Sequence, residues 1–276
     1  MKDAIIGTNN AVPLSEDAIA AYARDGVVRV HNLLDAAWVE RMRAAINRIE
    51  KHPGPFRERY APDGPGHFLS DKFMWTYDSD FRAYAFDSPA PWVAGQLMQA
   101  SKINLFYDHL MIKEPGTASP TPWHQDLNYW PAEGDQICSI WLALDRVGLD
   151  NGGMEFVLGS HRSGRRYRPF DFRGTAAVET DEFEPLPDVD SHRQDFNIGS
   201  FDLEPGDAVA FHALTLHGAP GNNSTRRRRA LSVRFTGEDA RFVQRKKMIK
   251  LLRDPGLKPG DPLDSDLFPV VWRRAV

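Results

Sequence analysis

Beyond Lys102 the chain is a succession of short strand-like runs separated by turn-forming residues, and this constrains the fold more than any other feature. Ile103–Tyr107 and Leu110–Lys113 are two such runs, and Gln136–Leu144 alternates between two faces. Gly152–Leu158 follows an Asp-Asn-Gly-Gly turn, and Phe196–Phe201, Asp207–Phe211 and Ala230–Phe235 complete the series. Short runs rich in β-branched and aromatic residues, bounded by Gly, Asn, Asp and Pro, are strand and turn signals. Six or more of them imply a sandwich or a barrel. The 20 prolines and 21 glycines are dispersed along the chain, which argues against a helical bundle.

The first hundred residues read differently. Ser15 is a candidate N-cap for a helix that opens with Glu16 and Asp17 and stops at Asp25-Gly26. Val27–Val30 follows as a short strand. Leu34–Lys51 is a second amphipathic helix, with Trp38, Met42, Ile46 and Ile49 at three- and four-residue spacings. Pro53–Gly66 is a loop, readable as a lid or as a plain surface connection. Pro89–Ser101 has helical patterning. The polar stretch between Arg162 and Arg193 is expected to be an insertion between strands, and Lys246–Arg253 a short helix. The expected organisation is a single domain over 1–276, with an N-terminal helical layer at about 14–101, a β core at about 102–236 and a tail over 237–276.

Bulk properties exclude several classes. A length of 276 residues with 42% hydrophobic content is ample for a sizeable core. The formal net charge of -4 gives no global attraction to nucleic acid or an anionic membrane. Cys138 is the only cysteine, so no intramolecular disulfide is possible. No apolar run approaches the roughly 20 residues of a membrane span, and Met1–Pro13 has no secretory pattern. The expectation is a soluble cytoplasmic protein that acts on a small molecule, with no signal for an oligomeric state.

His124 and Asp126 form the only His-x-Asp in the sequence. Residues i and i+2 of a strand, or of its frayed end, point to one side, so both side chains can reach a single ion while Gln125 points elsewhere. With His217 they would supply two imidazoles and a carboxylate, the facial triad of non-haem Fe(II) oxygenases. An isolated His-x-Asp is more often a surface turn with a hydrogen-bonded pair. Its company bears on the choice: Gly159-Ser160-His161 closes a strand, and Glu204-Pro205-Gly206-Asp207 precedes an apolar run and then His217-Gly218. Asn223 and the run Arg226–Arg229 come next.

Taken together, His124–Trp130, Trp141–Leu144, Asn151-Gly152-Gly153, Gly159-Ser160-His161, Pro205-Gly206-Asp207, His217-Gly218, Asn223 and Arg228 resemble the phytanoyl-CoA dioxygenase family of Fe(II)/2-oxoglutarate oxygenases. The likeness runs from about Ser15 to Phe235. It implies a double-stranded β-helix, a jelly-roll of cupin-like form with helices outside one sheet. It implies His124, Asp126 and His217 as iron ligands, with His212 a structural histidine. Arg228 would bind the far carboxylate of 2-oxoglutarate, with Arg229 as the alternative register. A guanidinium suits that role because it keeps its charge and binds two oxygens at once. Strand alternation places Ser232 on the same face, where it could donate to that carboxylate. Lys113 would lie near the other end of the co-substrate, unless it is a surface lysine at a strand end. Gln125, Trp141, Tyr107 and Trp130 are candidates for the pocket wall, and plain core packing accounts for Trp141 as well. Arg226, Arg227 and Arg229 are expected in a solvated turn.

The implied activity is hydroxylation of a small molecule with O2, releasing succinate and CO2, or a related desaturation or ring closure. Halogenating relatives carry a small residue in place of the carboxylate ligand, so Asp126 argues against chlorination. The family's substrates include acyl-CoA thioesters, amino-acid derivatives, phosphonates and secondary metabolites, and the sequence does not choose among them. Basic residues at Arg57, Arg59, Lys72, Arg162, Arg165, Arg166 and Arg168 could rim a pocket for an anion or lie on a solvated surface. Two other readings stand beside this one: a cupin-type metal enzyme that does not use 2-oxoglutarate, and a non-catalytic jelly-roll binding module. The first does not require Arg228, and the second does not require three converging ligands.

Overall fold

The computed structural model describes residues 3–5, 14–60, 66–169, 183–245 and 248–275. The N-terminal part contains β1 (Asp3–Ile5), α1 (Glu16–Asp25), β2 (Val27–His31), α2 (Ala36–Lys51), β3 (Glu58–Tyr60), β4 (Phe68–Lys72), α3 (Ser79–Asp87) and α4 (Ala90–Leu97). Then come β5 (Lys102–Lys113), β6 (Thr121–His124), β7 (Ala132–Glu133), β8 (Ile137–Ala143), β9 (Glu155–Val157), β10 (Ile198–Ser200), β11 (Ala208–His212), β12 (His217–Ala219) and β13 (Arg228–Thr236). The last two strands are β14 (Arg241–Phe242) and β15 (Val270–Arg273).

A nine-stranded sheet runs β1-β2-β11-β8-β13-β5-β4-β3, with β15 also paired to β5. A four-stranded sheet, β10-β9-β12-β6, faces it, and β14 pairs with β7. Alternation along the strands of the large sheet sorts its two faces. Leu231, Val233, Ile140, Leu142, Val28 and Val30 pack outward into the cluster that also holds the buried residues of the helices, such as Met42, Ile46 and Val93. Ala230, Trp141, Val209 and Phe211 point inward and meet Phe156 of the small sheet. This is the double-stranded β-helix, with helices covering one face only.

The helix ends follow capping rules. The Ser15 side chain accepts the Ala18 N–H, and Gly26 closes α1 in the left-handed conformation at φ 75. Asp35 caps α2. The Pro205-Gly206-Asp207 turn fastens α2 to the sheet: the Leu34 N–H donates to Gly206 O at 3.1 Å, and Asp207 Oδ1 accepts from the Asn32 N–H at 2.9 Å. Gly206 has φ 99, and a Cβ there would be driven into the Leu34 carbonyl oxygen. Gly206→Ala is therefore expected to lower stability by about 2 kcal/mol or more, from left-handed strain plus a backbone clash, read as a lower denaturation midpoint at unchanged slope.

The structure corrects several expectations. The two runs 103–107 and 110–113 are one twelve-residue strand, β5. Asp108-His109 resembles a break in sequence, but both residues have partners: the Trp75 N–H donates to Asp108 Oδ2 at 2.9 Å, and His109 Nε2 lies 2.7 Å from Ser70 Oγ. The segment 14–101 is more than a helical layer, since it gives β2 and β4 to the large sheet, and the tail gives it β15. The loop expected over 53–66 contains β3; its residues 61–65, and residues 170–182 of the 162–193 insertion, lie outside the described residues. No helix forms over 248–253, and residues 246 and 247 are also outside the described set. Instead the Ile249 N–H donates to Tyr129 O at 2.8 Å, while Ile249, Leu251 and Leu252 pack against the cluster that holds Tyr107 and Trp130.

Candidate metal and co-substrate site

Strands β6 and β12 are antiparallel neighbours, and His124 sits directly opposite His217. Their rings lie 4.2 Å apart, centroid to centroid. His124 Nδ1 is 2.8 Å from Pro122 O, and His217 Nδ1 is 2.9 Å from Thr215 O. A carbonyl only accepts, so each Nδ1 carries its proton and each Nε2 presents a bare lone pair. Asp126 follows β6 in a 3-10 turn, and its Oδ1 lies 3.5 Å from His124 Nε2. One ligand atom from each of the three residues falls within 4.8 Å of the others. Two imidazoles with fixed tautomers and one carboxylate suit a non-haem iron.

The surroundings keep these groups in their ligating forms. Burial holds the His217 imidazole neutral, down at about 3, helped by the neighbouring His124. Burial alone would raise the Asp126 carboxyl. The Arg234 guanidinium at 3.8 Å is the main opposing influence, and the acid is held well below the usual carboxylate range. Ser139 Oγ donates to Asp126 Oδ2 at 3.2 Å. Ser160, from the Gly-Ser-His motif, accepts the Leu216 N–H at 2.9 Å and so fixes the backbone beside His217. His212 takes no part, because its Nε2 is 2.8 Å from Asp135 O and its Nδ1 accepts the Leu214 N–H at 3.1 Å.

Arg228 lines the cavity in front of these groups. It is 2% exposed, donates through Nη1 to Met111 O at 3.1 Å, lies over the Trp141 ring at 5.4 Å, and has no partner at Nε. Lys113 is its cross-strand partner on β5 and is fully buried; its Nζ donates to Pro220 O at 2.6 Å. Burial pulls Arg228 down to about 10, and burial together with Arg228 pushes the Lys113 ammonium well down. Among the described residues no carboxylate pairs with either cation. Asp145, the acid that attracts Arg228, is already paired with Arg229 at 2.6 Å. The Ser232 hydroxyl on the same face is buried and unpartnered. Of the three, only Arg228 lines the cavity, with the buried Lys113 ammonium and the orphan Ser232 hydroxyl beside it on the strands; a buried guanidinium fits a carboxylate of a 2-oxo diacid. Gly152, at φ 89, leaves the room: a Cβ there would sit 3.0 Å from Lys113 Cδ and 3.4 Å from Arg228 Nη2.

The other candidates divide. Tyr107, Trp130 and Trp141 line the cavity. Gln125 does not. Its Nε2 donates to Arg165 O and Leu214 O, both at 3.0 Å, and its Oε1 accepts from Asn128 and from the Tyr167 N–H, so it ties the metal turn to the insertion. Arg226, Arg227 and Arg229 are ion-paired rather than merely solvated: Arg226 with Asp150, Arg227 with Glu50 and Glu114, Arg229 with Asp145. Lys72 lines the cavity and pairs with Glu58 at 3.1 Å. Arg57, Arg59, Arg162, Arg165, Arg166 and Arg168 are not part of its lining. Sequence reasoning gave no role to Arg234 or His109, which are cavity walls. Counting in twos from Arg228 and from Tyr107 along their strands would have found both.

A double-stranded β-helix with this donor set and a buried cation across the cavity defines an Fe(II)- and 2-oxoglutarate-dependent oxygenase scaffold. The profile of the phytanoyl-CoA dioxygenase (PhyH) family matches residues 22–230, and the chain belongs to that family. A probable phytanoyl-CoA dioxygenase of Caenorhabditis elegans is 29% identical over 158 residues, 55% of this chain and 49% of that protein, so the match spans about half of the relative. The non-heme alpha ketoglutarate dependent carbocyclase SnoK from nogalamycin biosynthesis superimposes with a TM-score of 0.78 at 26% identity, over 97% of this chain and 100% of that one. The epimerase SnoN of the same pathway gives a TM-score of 0.74 at 25% identity, over 94% and 96%. No helix among the described residues is long and apolar enough to cross a membrane.

Proposed function

We propose that this protein hydroxylates a small organic substrate at the expense of 2-oxoglutarate and O2. The carrying observation is the convergence of His124, Asp126 and His217 within 4.8 Å, with Arg228 buried on the same cavity and, among the described residues, free of an acid partner. Bound iron with 2-oxoglutarate supplies the oxidation: one oxygen atom of O2 ends in succinate, the other in the substrate, and CO2 leaves. The chain's own residues position and exclude. His124, Asp126 and His217 hold the ion. Arg228 and Ser232 hold the distal carboxylate of 2-oxoglutarate, with Lys113 as a second buried positive charge. Trp141 covers the Arg228 guanidinium, while Tyr107 and Trp130 keep water from the reacting carbon.

Anaerobic addition of Fe(II) and 2-oxoglutarate is expected to give a weak visible charge-transfer band, and aerobic incubation to release succinate. Absence of both would overturn the reading in favour of a cupin-type enzyme or a binding module. The superimposable carbocyclase and epimerase make product mass the next discriminator. Gain of one oxygen atom supports hydroxylation; an unchanged mass, or loss of two hydrogens, supports epimerisation or cyclisation. Because Asp126 fills a coordination position, chloride in the assay is expected to yield no chlorinated product by mass spectrometry.

A further inference from the structure

We propose that Arg234 is the anchor for the organic substrate, and that this substrate is a monocarboxylic acid with an apolar body. The inference rests on the oxygenase reading and adds to it the substrate's charge and the residue that selects it. Arg234 lines the cavity and is 5% exposed, yet its guanidinium is almost unused. Nε has no partner, Nη1 makes one long contact of 3.4 Å to Ser232 O, and Nη2 stands 3.8 Å from Asp126 Oδ2. Five donors in a buried fork call for an acceptor, and the separation from Asp126 exceeds a direct hydrogen bond of about 2.7–3.2 Å. Asp126 is itself committed to Ser139 and to the ligand set. Tyr107 at 4.8 Å and Trp130 at 5.9 Å fix the fork from its sides.

The co-substrate does not claim this fork. Arg228 and Arg234 share one face of β13 six positions apart, roughly 20 Å of strand, so they address opposite ends of the cavity. A monoanion suits the Arg234 end better than a phosphate dianion, since Asp126 lies beside it and Lys72 is already paired with Glu58. Met111, Tyr129 and Ile249 supply the apolar wall. His109, on the same wall, keeps a buried Nδ1 without a partner, available to a polar group on the substrate.

The test uses acids paired with their primary amides: 3-phenylpropionate, hexanoate and indole-3-acetate against 3-phenylpropionamide, hexanamide and indole-3-acetamide. Binding to the anaerobic protein loaded with Fe(II) and 2-oxoglutarate is read by saturation-transfer NMR and by perturbation of the visible band. Wild type is expected to bind at least one acid about tenfold or more tightly than its amide. Arg234→Gln should erase that preference; at saturating Fe(II) the metal's own charge takes over from Arg234 beside Asp126, so the band, which depends on Arg228, is read there and should persist. Arg234→Lys, which keeps the charge but loses the fork, should weaken the acid about tenfold and leave the amide unchanged. The proposal is overturned if no acid binds, if acid and amide bind alike, or if Arg234→Lys matches wild type. Loss of the band in Arg234→Gln would make Arg234 a positioning residue for Asp126 and also overturns it. Absence of the band in wild type, by contrast, would be a failure of the oxygenase reading itself.

Discussion

Asp126→Ala is expected to reduce 2-oxoglutarate-dependent succinate release by well over a hundredfold and to abolish the Fe(II)–2-oxoglutarate band. Losing a mere hydrogen-bonding partner of a metal ligand costs about 10–100-fold, and losing the only anionic ligand should cost more. A second effect compounds the first. Asp126 lies 3.8 Å from the buried Arg234, and that guanidinium, set against burial, holds it well below the usual carboxylate range. Removing it leaves Arg234 as an uncompensated buried charge, which strongly destabilises a core. The variant is therefore expected to melt below wild type even without metal, and Asp126→Asn, which keeps the volume and the Ser139 contact, should melt between the two. Succinate release at the wild-type rate from Asp126→Ala would remove the triad from the mechanism.

How much of this could be read from the sequence depended on the range of the interactions. The triad was legible because two of its members are two residues apart and the third is marked by the glycine after it. Arg228 was preferred only through the family resemblance, with Arg229 as the alternative register; the structure turns Arg228 toward the cavity and Arg229 to Asp145. What escaped depends on distant partners. Asp108-His109 resembles a turn until Trp75 and Ser70 arrive from 33 and 39 residues away. Gln125 looks like a pocket residue because it lies between two ligands, but its hydrogen bonds go to residues up to 89 positions away. Strand β15 pairs with β5 from the far end of the chain, and nothing local in Val270–Arg273 announces that pairing. Arg234 lies two residues beyond Ser232 on the same face of β13, and only the cavity wall shows that it is left with donors to spare.

Arg228→Gln is expected to uncouple stability from function in the opposite sense to Asp126→Ala. In the protein without co-substrate, Arg228 and Lys113 are cross-strand neighbours, both buried, and no acid among the described residues pairs with either. Burial alone brings Arg228 down to about 10, and burial together with the neighbouring Arg228 charge pushes Lys113 well down. Removing one cation relieves that repulsion, so the apo variant should melt at or above the wild-type temperature, as when a strained functional residue is replaced. Co-substrate binding should suffer instead. Truncating one member of a buried, hydrogen-bonded charge pair costs about 2–5 kcal/mol, so the apparent KM for 2-oxoglutarate should rise by roughly thirtyfold to several thousandfold. Wild type loaded with metal should gain about 2.7 kcal/mol of stability at a hundredfold excess of 2-oxoglutarate over its Kd, and the variant almost none at the same concentration. Arg228→Lys should restore little, because a point charge does not reproduce a two-pronged grip on a carboxylate. Thermal melts with and without 2-oxoglutarate measure both halves at once. A variant that loses stability without co-substrate, yet keeps the full ligand-induced rise in Tm, would assign Arg228 to packing against Trp141 and take the co-substrate away from it.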